Sequence, residues 1–189
     1  MQQRSLPLTA FGQTWWRLHS CQTGAVYFGC TGHNRFDAPG CPQGAYRALY
    51  AAADAHGAFI ETLGRDTGNN RVDRRTIGDM CLVRLETSRP LDLVDLTGAG
   101  LAHVGADAGL WAGRDYALCG RWALAFWRHP QQPDGLYYSS RHDPQRGSLV
   151  LFDRAQGVLQ AQVQGGLADQ VHLPLLVDIL DTYRFQLLP

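Results

Sequence analysis

Apolar positions along this chain recur with two periods. Residues 80–86 alternate strictly, with Cys81, Val83 and Leu85 set against Leu82, Arg84 and Glu86, which is the pattern of a half-buried strand. Residues 14–19, rich in aromatics, and residues 25–28, 47–52, 91–96, 136–140 and 148–152 also read as strands. Helical period governs two segments. Ala55, Ala58, Phe59, Thr62 and Leu63 form one stripe, with Asp54 as N-cap and Gly64 as its stop. Leu118, Cys119, Trp122, Ala125 and Phe126 form another, capped by Asp115 and ended by His129-Pro130. The apolar run 173–188 predicts a helix followed by a tail.

Between these elements, residues 29–44 carry four Gly and two Pro and read as a long loop. The polar segment 65–79, with Arg65, Arg71, Arg74 and Arg75, and residues 141–147 also read as loops. Residues 1–12 read as a loose N-terminal arm. Strands and helices interleave without a βαβ rhythm, which predicts an α+β fold with one domain over residues 13–189.

A length of 189 residues suits one domain, and 45% hydrophobic content is enough for a core. Formal net charge is zero. All 17 basic residues are Arg, and they are not clustered as in a nucleic-acid binder, so direct nucleic-acid contact is not expected. No apolar stretch approaches eighteen residues and the N-terminus lacks a signal-peptide core, so neither a membrane span nor secretion is expected. Five cysteines at irregular spacing, without a C-x-x-C pair, read as reduced thiols in a cytoplasmic protein. Metal binding by Cys21, Cys30, Cys41 and His33 is set aside for the same reason.

Two familiar motifs are incomplete. Gly98 and Gly100 follow an apolar strand, but His103 stands where a dinucleotide fingerprint has its third glycine. Ser140, His142 and Asp143 are too close in sequence to relay a proton in line, and no G-x-S-x-G elbow surrounds the serine. A hydrolase built on Ser140 and His142 is therefore disfavoured.

Five polar side chains remain that no local rule requires. Arg17 lies in Trp15-Trp16-Arg17-Leu18-His19, and Arg35 in Asn34-Arg35-Phe36-Asp37. Glu61 follows Tyr50 by eleven residues, and Ser140 closes Gly135-Leu136-Tyr137-Tyr138-Ser139-Ser140. Each taken singly has an ordinary reading: a snorkelling Arg, a solvated loop Arg, a core Tyr, a surface Glu, a strand-end Ser. Glu61 falls about 130° around its helix from the apolar stripe, taking ~100° per residue, which suits a cleft wall or open solvent.

In this order and spacing the five residues resemble the RES domain family, toxins named for an Arg, a Glu and a Ser. The likeness runs from about residue 15 to 155, with Ser139 as an alternative to Ser140. It implies a fold similar to the ADP-ribosyltransferase core of bacterial exotoxins, with NAD+ as substrate and no metal. It implies destruction of NAD+ by water or phosphate, or transfer of ADP-ribose to a protein. A non-catalytic nucleotide- or partner-binding module is the third reading. The resemblance also implies silencing by a helix-turn-helix antitoxin, and leaves a homodimer open.

The chemistry suits the residues. Arg17 and Arg35 present forks that match diphosphate oxygens. Glu61 can stabilise the oxocarbenium-like ribose formed as nicotinamide leaves. Tyr50 can stack on nicotinamide or bond to a phosphate. Ser140 can bond to the nicotinamide ribose or a phosphate.

Overall fold

A computed structural model describes residues 5–12, 14–65 and 68–189. Residues 1–4 of the expected arm, residue 13 at the expected domain boundary and residues 66–67 of the expected loop lie outside the described residues. Strands β1 (Leu8–Phe11), β2 (Trp15–Ser20) and β3 (Ala48–Ala52) come first, then helix α1 (Ala55–Leu63). A short strand β4 (Arg71–Asp73) and helix α2 (Arg74–Gly78) precede strands β5 (Met80–Thr87) and β6 (Leu91–Asp95). Helices α3 (Gly98–Val104), α4 (Gly109–Ala112) and α5 (Tyr116–Trp127) follow. Strands β7 (Gly135–Ser139), β8 (Gly147–Phe152) and β9 (Leu159–Gly166), helix α6 (Leu173–Tyr183) and strand β10 (Gln186–Leu188) complete the chain.

Eight strands form one sheet in the order β1-β6-β7-β8-β3-β2-β5-β9, antiparallel except for β6 with β7. That parallel pair is joined by a crossover through α3, α4 and α5. Strands β4 and β10 make a separate parallel pair. The α+β single-domain expectation is met.

The helices form where caps and apolar faces agree. The Asp54 carboxylate accepts from Gly57 N at 2.7 Å and starts α1. The Asp115 carboxylate accepts from Leu118 N at 2.8 Å and starts α5. The buried face of α5 is Cys119, Ala123 and Phe126, and Leu118 is exposed.

Sheet side chains alternate between two layers. Leu49, Val83, Leu85, Leu149 and Leu151 pack with Trp15 on the face away from the helices. The other face splits into two clusters. One gathers Phe36, Phe126, Leu136, Val150 and Phe152 beneath α5. The second gathers Leu18, Phe59, Ile60, Leu82 and Ile179 between α1, α6 and the sheet.

The two clusters meet where the sheet parts. Strands β2 and β3 share a single register pair, Trp16 with Ala52. Beyond it the loop bridge Gly29–Ala48 stands in for β2 beside β3. The resulting gap is roofed by α1, whose Gly57 would bring a Cβ within 3.0 Å of Ala52 Cβ. A side chain there would lift the helix off β3.

Several expected elements differ. Leu8–Phe11, read as part of a loose arm, is a strand paired with β6. Residues 25–28 form no strand; Val26 and Phe28 instead pack on the outer core layer. The segment 65–79, read as loop, contains β4 and α2, the latter capped by Asp73, whose carboxylate accepts from Thr76 N at 2.6 Å. The C-terminal tail forms β10. Four cysteines read as thiols are paired, Cys21 with Cys81 and Cys30 with Cys41, at Cα separations of 4.9 and 5.3 Å. Strand register explains the first: His19 lies opposite Cys81, so Cys21 turns back beside it. Cys119 is free and buried.

Candidate functional site

The gap between β2 and β3 opens into a cleft with two connected lobes. The larger, about 200 Å³, is lined by Arg17 from β2, Tyr50 from β3, Glu61 from α1 and Tyr138 from β7. The smaller, about 40 Å³, shares Tyr50, Glu61 and Tyr138 and adds Arg35, Tyr116 and Arg141. Asn34 and Arg65 line both lobes. Four of the five residues singled out by sequence, Arg17, Arg35, Tyr50 and Glu61, thus converge on one cleft, from positions spread along the chain.

Arg17 lies in the wall of the larger lobe. Its Nη1 donates to the Tyr27 carbonyl at 3.2 Å, while its buried Nε has no partner among the described residues. Burial lowers its pKa, yet a guanidinium stays charged at neutral pH. No carboxylate lies within ion-pair reach of it among the described residues. The side chain is half-buried, and a partly desolvated cation without a counter-charge is better satisfied when an anion arrives.

Arg35 is 8% exposed and held on three sides. Its Nη1 donates to the Gly113 carbonyl at 2.6 Å and lies 3.7 Å from Cys119 Sγ, and its fork covers the Tyr116 ring at 4.7 Å. The loop around it is fixed by Asp37, 5% exposed. One oxygen of that carboxylate accepts from Thr31 N, Gly32 N and Asn34 N at 2.9–3.3 Å. The other accepts from the Tyr50 hydroxyl at 3.1 Å. Phe36 is fully buried, edge-on to Tyr138 at 5.0 Å. Gly120 of α5 lets the helix sit on this loop, since a Cβ there would stand 2.8 Å from the Asp37 carbonyl.

Tyr50 donates to Asp37 and accepts from Phe36 N at 3.0 Å. Burial, reinforced by the Asp37 carboxylate, raises its pKa well above the usual phenol range. Its hydroxyl is thereby engaged, and what it offers the cleft is ring surface. Of the two roles read from sequence, stacking fits this geometry.

Ser140 is fully buried and lines neither lobe. Its Oγ donates to Glu61 Oε1 at 2.5 Å and accepts from His142 N and Asp143 N, both at 3.2 Å. Arg141 N donates to the same carboxylate oxygen at 3.1 Å. Ser140 therefore orients Glu61 from behind. Ser139 ends β7 opposite Gly147, so the serine that reaches the carboxylate is Ser140.

The sequence reading missed Asn34, Asp37, Arg65, Tyr138 and Arg141. Asp37 had a usable signal, a carboxylate within a glycine-rich loop beside Arg35. Arg65 lies just past the C-cap of α1, with its Nε bonded back to the Glu61 carbonyl.

The family model of the RES domain matches residues 14–178. The chain belongs to the RES domain family. A curated relative, "Probable toxin y4kH" of Sinorhizobium fredii, is 32% identical over 85 residues, which cover 45% of this chain and 66% of that protein. In solved structures, this RES domain is similar to a chain of the M. tuberculosis MbcT-MbcA toxin-antitoxin complex. The TM-score is 0.65 at 18% identity, over 82% of this chain and 86% of that one. That likeness is one of fold.

Proposed function

We propose that this RES domain is the toxin of a toxin–antitoxin pair and that it cleaves the nicotinamide–ribose bond of NAD+. The observation that carries the reading is the partnerless Arg17 Nε in the wall of a cleft that Glu61 also lines. The names of the relatives support the toxin role. A helix-turn-helix protein as the silencing partner follows from the family resemblance, and the cytoplasmic location expected from sequence is kept as part of this reading. Among the described residues no helix is long and apolar enough to cross a membrane.

NAD+ carries a diphosphate, which Arg17 can hold by a charge-assisted fork. The Tyr50 and Tyr138 rings offer apolar surface to its aromatic ends. Cleavage breaks the bond between ribose C1′ and the nicotinamide nitrogen, and the electron pair leaves with nicotinamide. The departing group is neutral, so no general acid is required. Positive charge grows on the ribose, and the Glu61 carboxylate stabilises it. Water or inorganic phosphate then adds to C1′. Ser140 and Arg141 N–H keep the carboxylate oriented throughout.

The test is incubation of purified protein with NAD+, with and without phosphate, following free nicotinamide. Release by wild type and its loss in Glu61→Gln are expected. No release under either condition would end the reading. Label passing from NAD+ to protein in a cell extract would instead assign a protein ADP-ribosyltransferase.

A further inference from the structure

We infer that Arg65 is the second guanidinium that binds the diphosphate of the substrate, a role that the family resemblance gives to Arg35. This rests on the NAD+ reading above and names a residue within it. The argument begins with what each arginine is already doing. Arg35 is built into the wall: its fork bonds Gly113, lies against Cys119 and covers Tyr116. Withdrawing it for a ligand would break a buried contact set. Arg17 lines the larger lobe alone and Arg35 the smaller lobe alone. Arg65 lines both.

Arg65 is exposed at the cleft and held by two replaceable neutral partners. Its Nε donates to the Glu61 carbonyl at 2.9 Å, and its Nη1 donates to Asn34 Oδ1 at 3.1 Å. Among the described residues no carboxylate pairs with it. The bond to the Glu61 backbone fixes the fork relative to α1. The bond to Asn34 spans from the segment after α1 to the Arg35 loop, and a phosphate oxygen would replace that neutral acceptor with a charged one, a stronger bond. An anion held there stands close to the Glu61 carboxylate, because the Arg65 Nε is tied to the Glu61 carbonyl just past the end of α1. That placement is how binding energy at a phosphate fixes a sugar for reaction.

Arg65→Ala and Arg65→Lys separate this from a structural role. Titration with ADP should show affinity reduced about tenfold or more in Arg65→Ala, with adenosine binding unchanged. Arg65→Lys keeps the charge without the fork and should fall between. KM for NAD+ should rise by a similar factor with kcat within about threefold. The melting temperature should match wild type. Wild-type ADP affinity in Arg65→Ala, or equal weakening of ADP and adenosine, would overturn the assignment. Should wild type bind ADP but release no nicotinamide, NAD+ cleavage fails while Arg65 is still judged by the ADP titration. Should wild type bind no ADP at millimolar concentration, both fall.

Discussion

Ser140→Ala tests whether the serine serves the carboxylate or the substrate. The substitution removes one hydroxyl that donates to Glu61 Oε1 at 2.5 Å and accepts from two backbone N–H groups. A hydrogen bond to a charged group contributes about 1.5–3 kcal/mol. If all of it acts on Glu61 orientation in the transition state, kcat falls roughly 10- to 150-fold at 1.36 kcal/mol per decade. Ser140 lines neither lobe, so KM for NAD+ should stay within about threefold. The same bond supports folding, and a loss of about 2 kcal/mol would lower the melting temperature by roughly 4–8 °C in a domain of this size. Steady-state nicotinamide release below the new melting temperature reads both parameters. A raised KM with unchanged kcat would refute the argument, because it would mean that the hydroxyl meets the nucleotide directly.

Four further outcomes are expected. Glu61→Gln should lose about 2–4 kcal/mol of transition-state stabilisation with NAD+ affinity retained by titration. Arg17→Ala should weaken NAD+ binding by roughly 10- to 100-fold, taking about 1.5–3 kcal/mol for a charge-assisted bond; unchanged affinity would remove the clamp. Bridges that span 11 and 60 residues constrain the unfolded chain by about 3 and about 4 kcal/mol in the chain-entropy account, so dithiothreitol should lower the melting temperature, and an unchanged value would mean that the thiols are already reduced. Burial pushes the Asp143 carboxyl up, but bonds from Tyr183 and Arg146 outweigh it and hold the pKa below the ordinary value. Its contribution is therefore present above about pH 4 and lost as pH falls through the folded pKa, and denaturant titrations should show Tyr183→Phe losing less stability than wild type between about pH 4 and 2.

What was legible in sequence followed from local rules. The caps Asp54 and Asp115 and the apolar stripes behind them fixed α1 and α5 to within a residue or two. The alternation in 80–86 is β5 with little change. Elements that depend on a distant partner were not legible. Strand β9 carries Gln160, Gln162 and Gln164 and is exposed along most of its length at the sheet edge, so no buried face marks it. Strand β10 exists because β4 lies beside it. Residues 25–28 have strand-like composition, yet the backbone neighbour they would need is taken by the parting of β2 from β3. The disulfides depend on register and loop closure, which spacing alone does not reveal. At the site, sequence order found the residues of the resemblance but not their tasks. Burial moved Ser140 behind Glu61, and Asp37 turned the Tyr50 hydroxyl away from the cleft.

The charge pattern of the fold supports an anionic ligand independently of any resemblance. The chain is neutral overall, so positive surface in one place is not a by-product of a basic composition. Away from the cleft, three arginines meet carboxylates, while Arg47 and Arg154 bond backbone carbonyls instead. Arg89 forks onto Asp134 at 2.6 and 2.7 Å, Arg146 joins Asp54 and Asp143, and Arg84 pairs with Glu86 at 2.8 Å. Along the cleft, Arg17, Arg35, Arg65 and Arg141 face a single lining carboxylate, Glu61, whose Oε1 is already engaged by Ser140 and a backbone N–H. Arg17, partly desolvated and without a counter-charge among the described residues, raises the free energy of the empty protein. A bound diphosphate would recover that energy, and Glu61 would remain as the one negative group beside the sugar, where positive charge develops.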